Sequence, residues 1–232
     1  MREDPSVARA TRAVLLDALG TLVRLDPPAP RLRVELRRSG VEVDAGAAER
    51  AFAAEIAYYV EHHTEGRDER SLDELRDRCA AVLLDALAIP ELVLPVVRDA
   101  MLASIAFEAY PDAAAALEEL GSHGLRLIAA SNWDCSLPRV LDGAGLGGLL
   151  DGVVSSAMVG ARKPDRALFE AALALAGCSA DEAVHVGDSL ENDVRGARAA
   201  GIRAVLVDRT GGARNAAGVP VVSGLGELPS LI

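Results

Sequence analysis

From about residue 106 onward, short β-type apolar runs alternate with helix-like stretches, and this alternation narrows the possible folds more than any other feature of the chain. The runs are LRLIAAS (125–131), GVVSS (152–156), AVHVGD (183–188), RAVLVD (203–208) and VPVVS (219–223). Between them lie stretches such as PDAAAALEELGSHG and PDRALFEAALALAG, whose apolar residues recur at helical spacing. Strands joined through helices by short loops imply right-handed crossovers and a parallel sheet covered on both faces. AVLLD (13–17) supplies one more strand of the same kind, far upstream of the others.

Residues 27–105 separate that first strand from the rest and have a different texture. They contain no strand-like run, only Ala-, Leu-, Glu- and Arg-rich segments at helical period. Helices are expected at 28–39, 46–64, 71–87 and 90–104, with Gly40, Gly66 and Pro90 marking the breaks. The chain therefore reads as an α/β core, residues 1–26 and 106–232, interrupted by an all-helical insertion, residues 27–105. Its 232 residues, half of them apolar, are enough for a core of this size built mainly from Ala, Leu and Val.

Charge and cysteine usage limit the partners. A net charge of −11 argues against a general nucleic-acid or anionic-membrane binder. No apolar run approaches the ~20 residues that span a bilayer, and MREDPSVARATR lacks a secretory apolar region. Cys79, Cys135 and Cys178 are far apart, without metal-ligand spacing, and read as buried thiols of a cytoplasmic protein. A small-molecule substrate is expected, on a monomer or homodimer.

Ligands of open parallel sheets bind at the carboxyl ends of the strands. There the sequence places Asp17, then Ser131 and Asn132, then Lys163 ahead of a helix beginning near Pro164, then Asp188 after Gly187, with Asp193 following in SLEND. Lys163 is the chain's one lysine among twenty-four basic residues. These segments, LLDALGTL, IAASN, ARKPDRALF and VGDSLENDVRGA, resemble in order the four motifs of the haloacid dehalogenase superfamily of hydrolases. The segment AYPDAAAALEELGSHG before the second motif is also similar, so the likeness covers nearly the whole chain. It implies a Rossmann-like core in which the helical insertion is a cap, and the DALGTL first motif is most like a subgroup of poorly defined activity.

The resemblance also implies roles. Asp17 would be the nucleophile, forming an acyl-phosphate or alkyl ester that water later opens. Mg²⁺ would sit between Asp17, the carbonyl of Leu19 and Asp188. Ser131 and Lys163 would bind the transferring oxygens, backbone N–H groups around residues 18–20 and 132 would complete the anion cradle, with Asn132, Gly20 and Thr21 among the substrate-binding residues, and Asp193 would orient Lys163 or a metal-bound water. One position departs from the pattern. Family phosphatases usually carry a second Asp two residues after the nucleophile, as general acid for the leaving alcohol, and here Leu19 stands there.

General acid–base help is worth about 10²–10⁴-fold, or roughly 3–5 kcal/mol of barrier, so its loss weighs most on alkyl phosphates. Three readings stay open: a Mg²⁺-dependent phosphatase for good leaving groups or with a borrowed acid, a metal-independent haloacid dehalogenase, or a catalytically weak protein that binds a phosphorylated ligand. The acids of GDSLEND weigh against the dehalogenase, which would not need them. Phosphonate cleavage, which uses a lysine from the cap in the related family, is disfavoured because this cap has no lysine.

The cap offers one candidate cluster. In EIAYYVEHHTEGR, Tyr58 with His62 and Tyr59 with His63 are helical i,i+4 neighbours that could face the cleft. The expectation preferred on sequence is that the aromatics pack the helical insertion while the histidines sit at its edge. Trp133 and Asp134 follow the second motif and are candidates to line the pocket, Asp134 as a distant alternative acid. His185 reads as a core histidine, and LGELPSLI as a final helix.

Overall fold

A computed structural model describes residues 10–212 and 218–232. The first nine residues of the expected core, and residues 213–217, lie outside this range. The main sheet is parallel, with β1 (Ala13–Leu16) at its centre. Around it stand β4 (Arg126–Ser131), β5 (Gly152–Ser155), β6 (Ala183–Gly187), β7 (Arg203–Val207) and β8 (Val221–Val222), in the order β5-β4-β1-β6-β7-β8. β1 pairs on one side with β4 (Leu16 beside Ala129) and on the other with β6 (Leu16 beside Val186). The carboxyl ends of β4, β1 and β6 therefore lie next to one another. The order reverses at β1, the kind of point at which α/β sheets bind ligands.

Alternation along β1 feeds two cores. Val14 and Leu16 pack against α5 (Ala113–Ser122), α6 (Leu137–Gly143) and the 3₁₀ segment Leu225–Ser230. Ala13 and Leu15 face α8 (Arg166–Ala176), through Leu168, Phe169 and Ala172, and the short α9 (Gly196–Ala199). Successive strand residues point to opposite faces, so a strand buried on both sides must be apolar throughout, as AVLL is. A one-turn helix, α7 (Ser156–Val159), follows β5, and a π-helical turn, Leu190–Arg195, follows β6.

Four helices fill the insertion: α1 (Pro28–Arg38), α2 (Ala45–His62), α3 (Glu69–Leu87) and α4 (Leu94–Ser104). α3 begins with a capping box between Asp68 and Ser71, and α2 with Asp44 accepting from the Ala47 N–H. Leu72, Leu75, Cys79, Ala80, Leu83 and Leu87 form the buried stripe of α3 at helical spacing. Each fully buried Leu contributes about 1.5–3 kcal/mol, so this stripe anchors a third core shared with α1, α2 and α4. The arginines of α1 are spent on its solvated face, as in Arg37–Glu42 and Arg38–Glu35.

Several sequence expectations are corrected. The chain enters and leaves the insertion as an antiparallel ribbon, β2 (Val23–Leu25) with β3 (Phe107–Ala109), that pattern reading missed. Three residues are too few to display period-2 alternation. α4 starts at Leu94 rather than 90, since Pro95 belongs in a first turn whereas Pro90 lies in the loop before it. The helix after Lys163 begins at Arg166, capped by the Asp165 carboxylate, not near Pro164. The last strand shrinks from 219–223 to two residues, and the final segment is 3₁₀ because Pro229 supplies no N–H. Of the three thiols only Cys79 is buried; Cys135 and Cys178 are half-exposed.

Candidate active site

Asp17 directly follows β1, its N–H held by the Val186 carbonyl of β6, and its side chain is buried. Two donors converge on one of its oxygens. Ser131 Oγ, at the end of β4, donates to Oδ1 at 2.8 Å, and Lys163 Nζ donates to the same atom at 2.5 Å. Among the described residues no hydrogen bond goes to Oδ2. The carboxylate is thus pinned by one oxygen, with the other left for chemistry.

Lys163 is itself fully positioned. Its Nζ also donates to Asp193 Oδ1 at 2.6 Å, and the Asn132 side chain clamps its backbone, accepting from the Lys163 N–H at 2.7 Å and donating to the carbonyl at 3.1 Å. Both ends of the Asn132 amide are therefore committed to Lys163, which makes its side chain a positioning group, while the part of Asn132 expected in the anion cradle was its backbone N–H. Asp193 is held in turn by His185 Nε2 at 2.8 Å and by the Ser189 N–H at 2.9 Å. Sequence reasoning read His185 as a core residue, and it is fully buried, but it also anchors this chain of contacts. A histidine inside an otherwise aliphatic strand was the available signal.

Two glycines make the packing possible. A Cβ on Gly187 would stand 2.2 Å from Asp193 Cγ, so only glycine lets that carboxylate fold beneath the strand end. A Cβ on Gly20 would stand 2.1 Å from Asp188 Oδ2, and Gly20 also has φ +86, in the left-handed region. Gly20 thus acts through the space that it leaves for Asp188. Thr21, expected among the substrate-binding residues, is fully buried and absent from the cavity lining, because the turn that directs Gly20 toward Asp188 carries the next residue into the core.

Charge is unbalanced in this cluster. Oxygens of Asp17, Asp188 and Asp193 lie within 4.8 Å of one another, and the only ammonium among them is Lys163. Burial alone would raise Asp193, but Lys163 and His185 outweigh it and hold the carboxyl well below its usual range. Burial raises Asp17, opposed by Lys163 and reinforced by Asp193. Burial would lower Lys163, yet the two carboxylates raise it, so it stays charged. Asp188 opens on the cleft with no ion pair among the described residues, and desolvation together with Asp17 and Asp193 pushes it up to about 6. With all three acids ionised, two negative charges remain uncompensated, which matches one divalent cation. An all-oxygen donor set of this kind suits a hard ion such as Mg²⁺, and these residues fit it.

The cluster forms the floor of a cavity of about 980 Å³ whose walls come from the helical insertion and from core residues such as Trp133 and Asp134. Phe52, Leu72, Leu75, Met101 and Ile105 make much of it apolar. Leu19, 46% exposed, sits at this floor where a second carboxylate was looked for. Trp133 is buried, its ring 4.8 Å from that of Phe107, and lines the wall. Asp134 also lines it, but both its oxygens are engaged, Oδ2 by the Tyr59 hydroxyl at 2.9 Å and Oδ1 by the Ser136 N–H at 2.6 Å. Burial and then Asp134 push the Tyr59 phenol well above its ordinary range, so it remains a donor.

The two tyrosine–histidine pairs of α2 part company. Tyr58 and His62 stack at 4.1 Å away from the cavity, Tyr58 accepting from Arg78 and His62 bonded to Glu65. Tyr59 and His63 line the cavity, and His63 is buried rather than at the edge where sequence placed it. Glu55, two turns before His63, is a further cavity residue; burial raises its carboxyl, opposed by a hydrogen bond with Cys79.

Comparison with known proteins agrees with this fold. The family model of haloacid dehalogenase-like hydrolases matches residues 11–201. Haloacid dehalogenase-like hydrolase domain-containing protein 3 of Bos taurus is 31% identical over 205 residues, 84% of this chain and 81% of that protein. The phosphoserine phosphatase of Thermus thermophilus is 48% identical over 101 residues, 43% of this chain; the match spans 41% of that enzyme's length. Among solved structures, the L-2-haloacid dehalogenase of Xanthobacter autotrophicus superposes with a TM-score of 0.69 at 25% identity, covering 95% of this chain and 98% of that one. No helix among the described residues is long and apolar enough to cross a membrane.

Proposed function

Since this chain belongs to the haloacid dehalogenase-like hydrolases, we propose that it is a Mg²⁺-dependent phosphatase of a small phosphorylated metabolite, working through a covalent intermediate on Asp17. The observation that carries this reading is Asp188, a cleft-facing carboxylate beside two others with one ammonium to share among them. Asp17 and Asp188, with the Leu19 carbonyl, would hold the cation, which when bound would offset the cluster's negative charge and polarise a phosphoryl group. The helices of 27–105 serve as a cap over the core of 1–26 and 106–232. The partner is a small molecule rather than nucleic acid or membrane, the expected compartment is the cytoplasm, and the protein works as a monomer or homodimer.

In the first step Asp17 Oδ2 attacks phosphorus while Ser131 and Lys163 hold Oδ1. The bond from phosphorus to the leaving oxygen breaks, and an aspartyl phosphate remains. In the second step water attacks phosphorus, releasing phosphate and restoring the Asp17 carboxylate. Lys163, buried and charged, stabilises the transferring oxygens as a point charge. Leu19 supplies no proton, and Asp134 is tied up by Tyr59 and Ser136. With no proton from either residue, the leaving group departs as an anion in this reading, which favours acyl and aryl phosphates over alkyl esters.

A second reading draws on the same residue. A halide needs no proton to leave, so Leu19 also suits displacement of halide by Asp17. The test is release of phosphate from p-nitrophenyl phosphate and acetyl phosphate, and of chloride from 2-chloropropionate, each with Mg²⁺ and with EDTA. Asp17→Asn is the control. Metal-dependent phosphate release that the variant lacks supports the phosphatase. Metal-independent chloride release replaces it with the dehalogenase, and no turnover with any of the three leaves a phospho-ligand binder.

A further inference from the structure

Four buried side-chain polar atoms among the described residues have no hydrogen-bond partner: Thr21 Oγ1, His63 Nε2, His185 Nδ1 and Arg209 Nε. Of these residues only His63 lines the cavity. Its ring is otherwise fixed. Nδ1 lies 2.9 Å from the Val60 carbonyl, an atom that can only accept, so Nδ1 carries the proton. Nε2 is then a lone-pair acceptor. The imidazole is 3% exposed, and burial first, with the nearby Arg162 guanidinium, lowers its affinity for a second proton. A buried acceptor left unmade costs free energy that a ligand donor recovers.

The position of this acceptor is tied to the reaction centre. Arg162, the residue before Lys163, donates to the same Val60 carbonyl at 3.2 Å, so one backbone oxygen of α2 joins His63 to the loop that carries the catalytic lysine. The surrounding lining is largely apolar, with Ile56, Val60 and Leu72 among it.

We propose that His63 is a specificity-determining residue whose Nε2 accepts a hydrogen bond from a hydroxyl on the non-phosphoryl part of the substrate. The substrate class is then a phosphorylated compound with an apolar body bearing a neutral hydroxyl. The assignment rests on the phosphoryl site described above but not on turnover at that site.

Paired phosphonates test it, because they bind without being hydrolysed. ω-Hydroxyalkylphosphonates and alkylphosphonates of matched length, from two to six carbons, are titrated calorimetrically in Mg²⁺ into the wild type, His63→Phe and His63→Gln. At the best length the hydroxyl tightens Kd about tenfold in the wild type. That gain disappears in His63→Phe and returns in part in His63→Gln, whose amide oxygen can accept. Near-ultraviolet circular dichroism checks that the variants fold. A hydroxyl gain at no length, or one that survives in His63→Phe, overturns the proposal. Absent turnover with the gain intact removes the phosphatase reading alone, whereas failure of every phosphonate to bind removes both.

Discussion

Replacing Asp188 by Asn tests the idea that the carboxylate cluster is short of positive charge. The folded protein raises this carboxyl from its ordinary 3.8 to about 6, so the folded state binds its proton more tightly than the unfolded state does. Between these two values the unfolded chain carries fewer protons, and stability contributed by this group falls as pH rises through the window. Fully expressed, the shift corresponds to about 3 kcal/mol at 1.36 kcal/mol per unit. The side chain opens on solvent, which screens it, and roughly 1 kcal/mol is the expected loss. Asp193 does not confound the measurement, because its carboxyl is lowered and its contribution vanishes only in stronger acid. Urea denaturation in EDTA, from pH 4.5 to 7.5, should show Asp188→Asn gaining about 1 kcal/mol on the wild type across the window. Mg²⁺ at pH 7.5 should then stabilise the wild type and leave the variant almost unchanged. A wild-type-to-variant gap independent of pH would refute the reasoning, since Asp188 would then be an ordinary solvated acid.

Two other substitutions probe the same floor. Gly20→Ala places a Cβ 2.1 Å from Asp188 Oδ2 at a left-handed φ, so it should destabilise by about 1–3 kcal/mol and weaken Mg²⁺-dependent stabilisation, read by thermal melts with and without metal. Leu19→Asp restores a carboxyl two residues after the nucleophile and should raise kcat/KM for an alkyl phosphate relative to p-nitrophenyl phosphate by about 10²-fold, with an unchanged ratio counting against a missing acid.

The alternation of strands and helices was readable because each strand of the main sheet is buried on both faces and must be apolar along its length, as in AVLL and AVHVG. Asp17, Ser131, Lys163 and Asp188 were readable for a related reason. A polar residue ending a buried strand, or standing alone as the one lysine, interrupts a pattern that packing otherwise enforces. The β2–β3 ribbon was not readable, since its pairing joins residues more than eighty positions apart through backbone hydrogen bonds that leave no side-chain signature in three residues. Nor was the facing of α2. AGAAERAFAAEIAYYVEH carries small and apolar residues around much of its circumference, so its period does not say which tyrosine–histidine pair turns inward.

By itself the sequence determined the parallel core, the helical insertion and the set of acids and lysine at the strand ends, because these follow from local periodicity and from which residues a buried strand can end on. Tertiary structure alone decided how they act on one another. Asn132 became a clamp on Lys163, His185 an anchor for Asp193, Thr21 a buried bystander, and His63 a cavity residue with a buried, unpartnered acceptor. Each of these depends on the distance and direction between side chains from separate elements. Charge balance and hydrogen-bond pairing are set at that scale, which no single segment of the chain encodes.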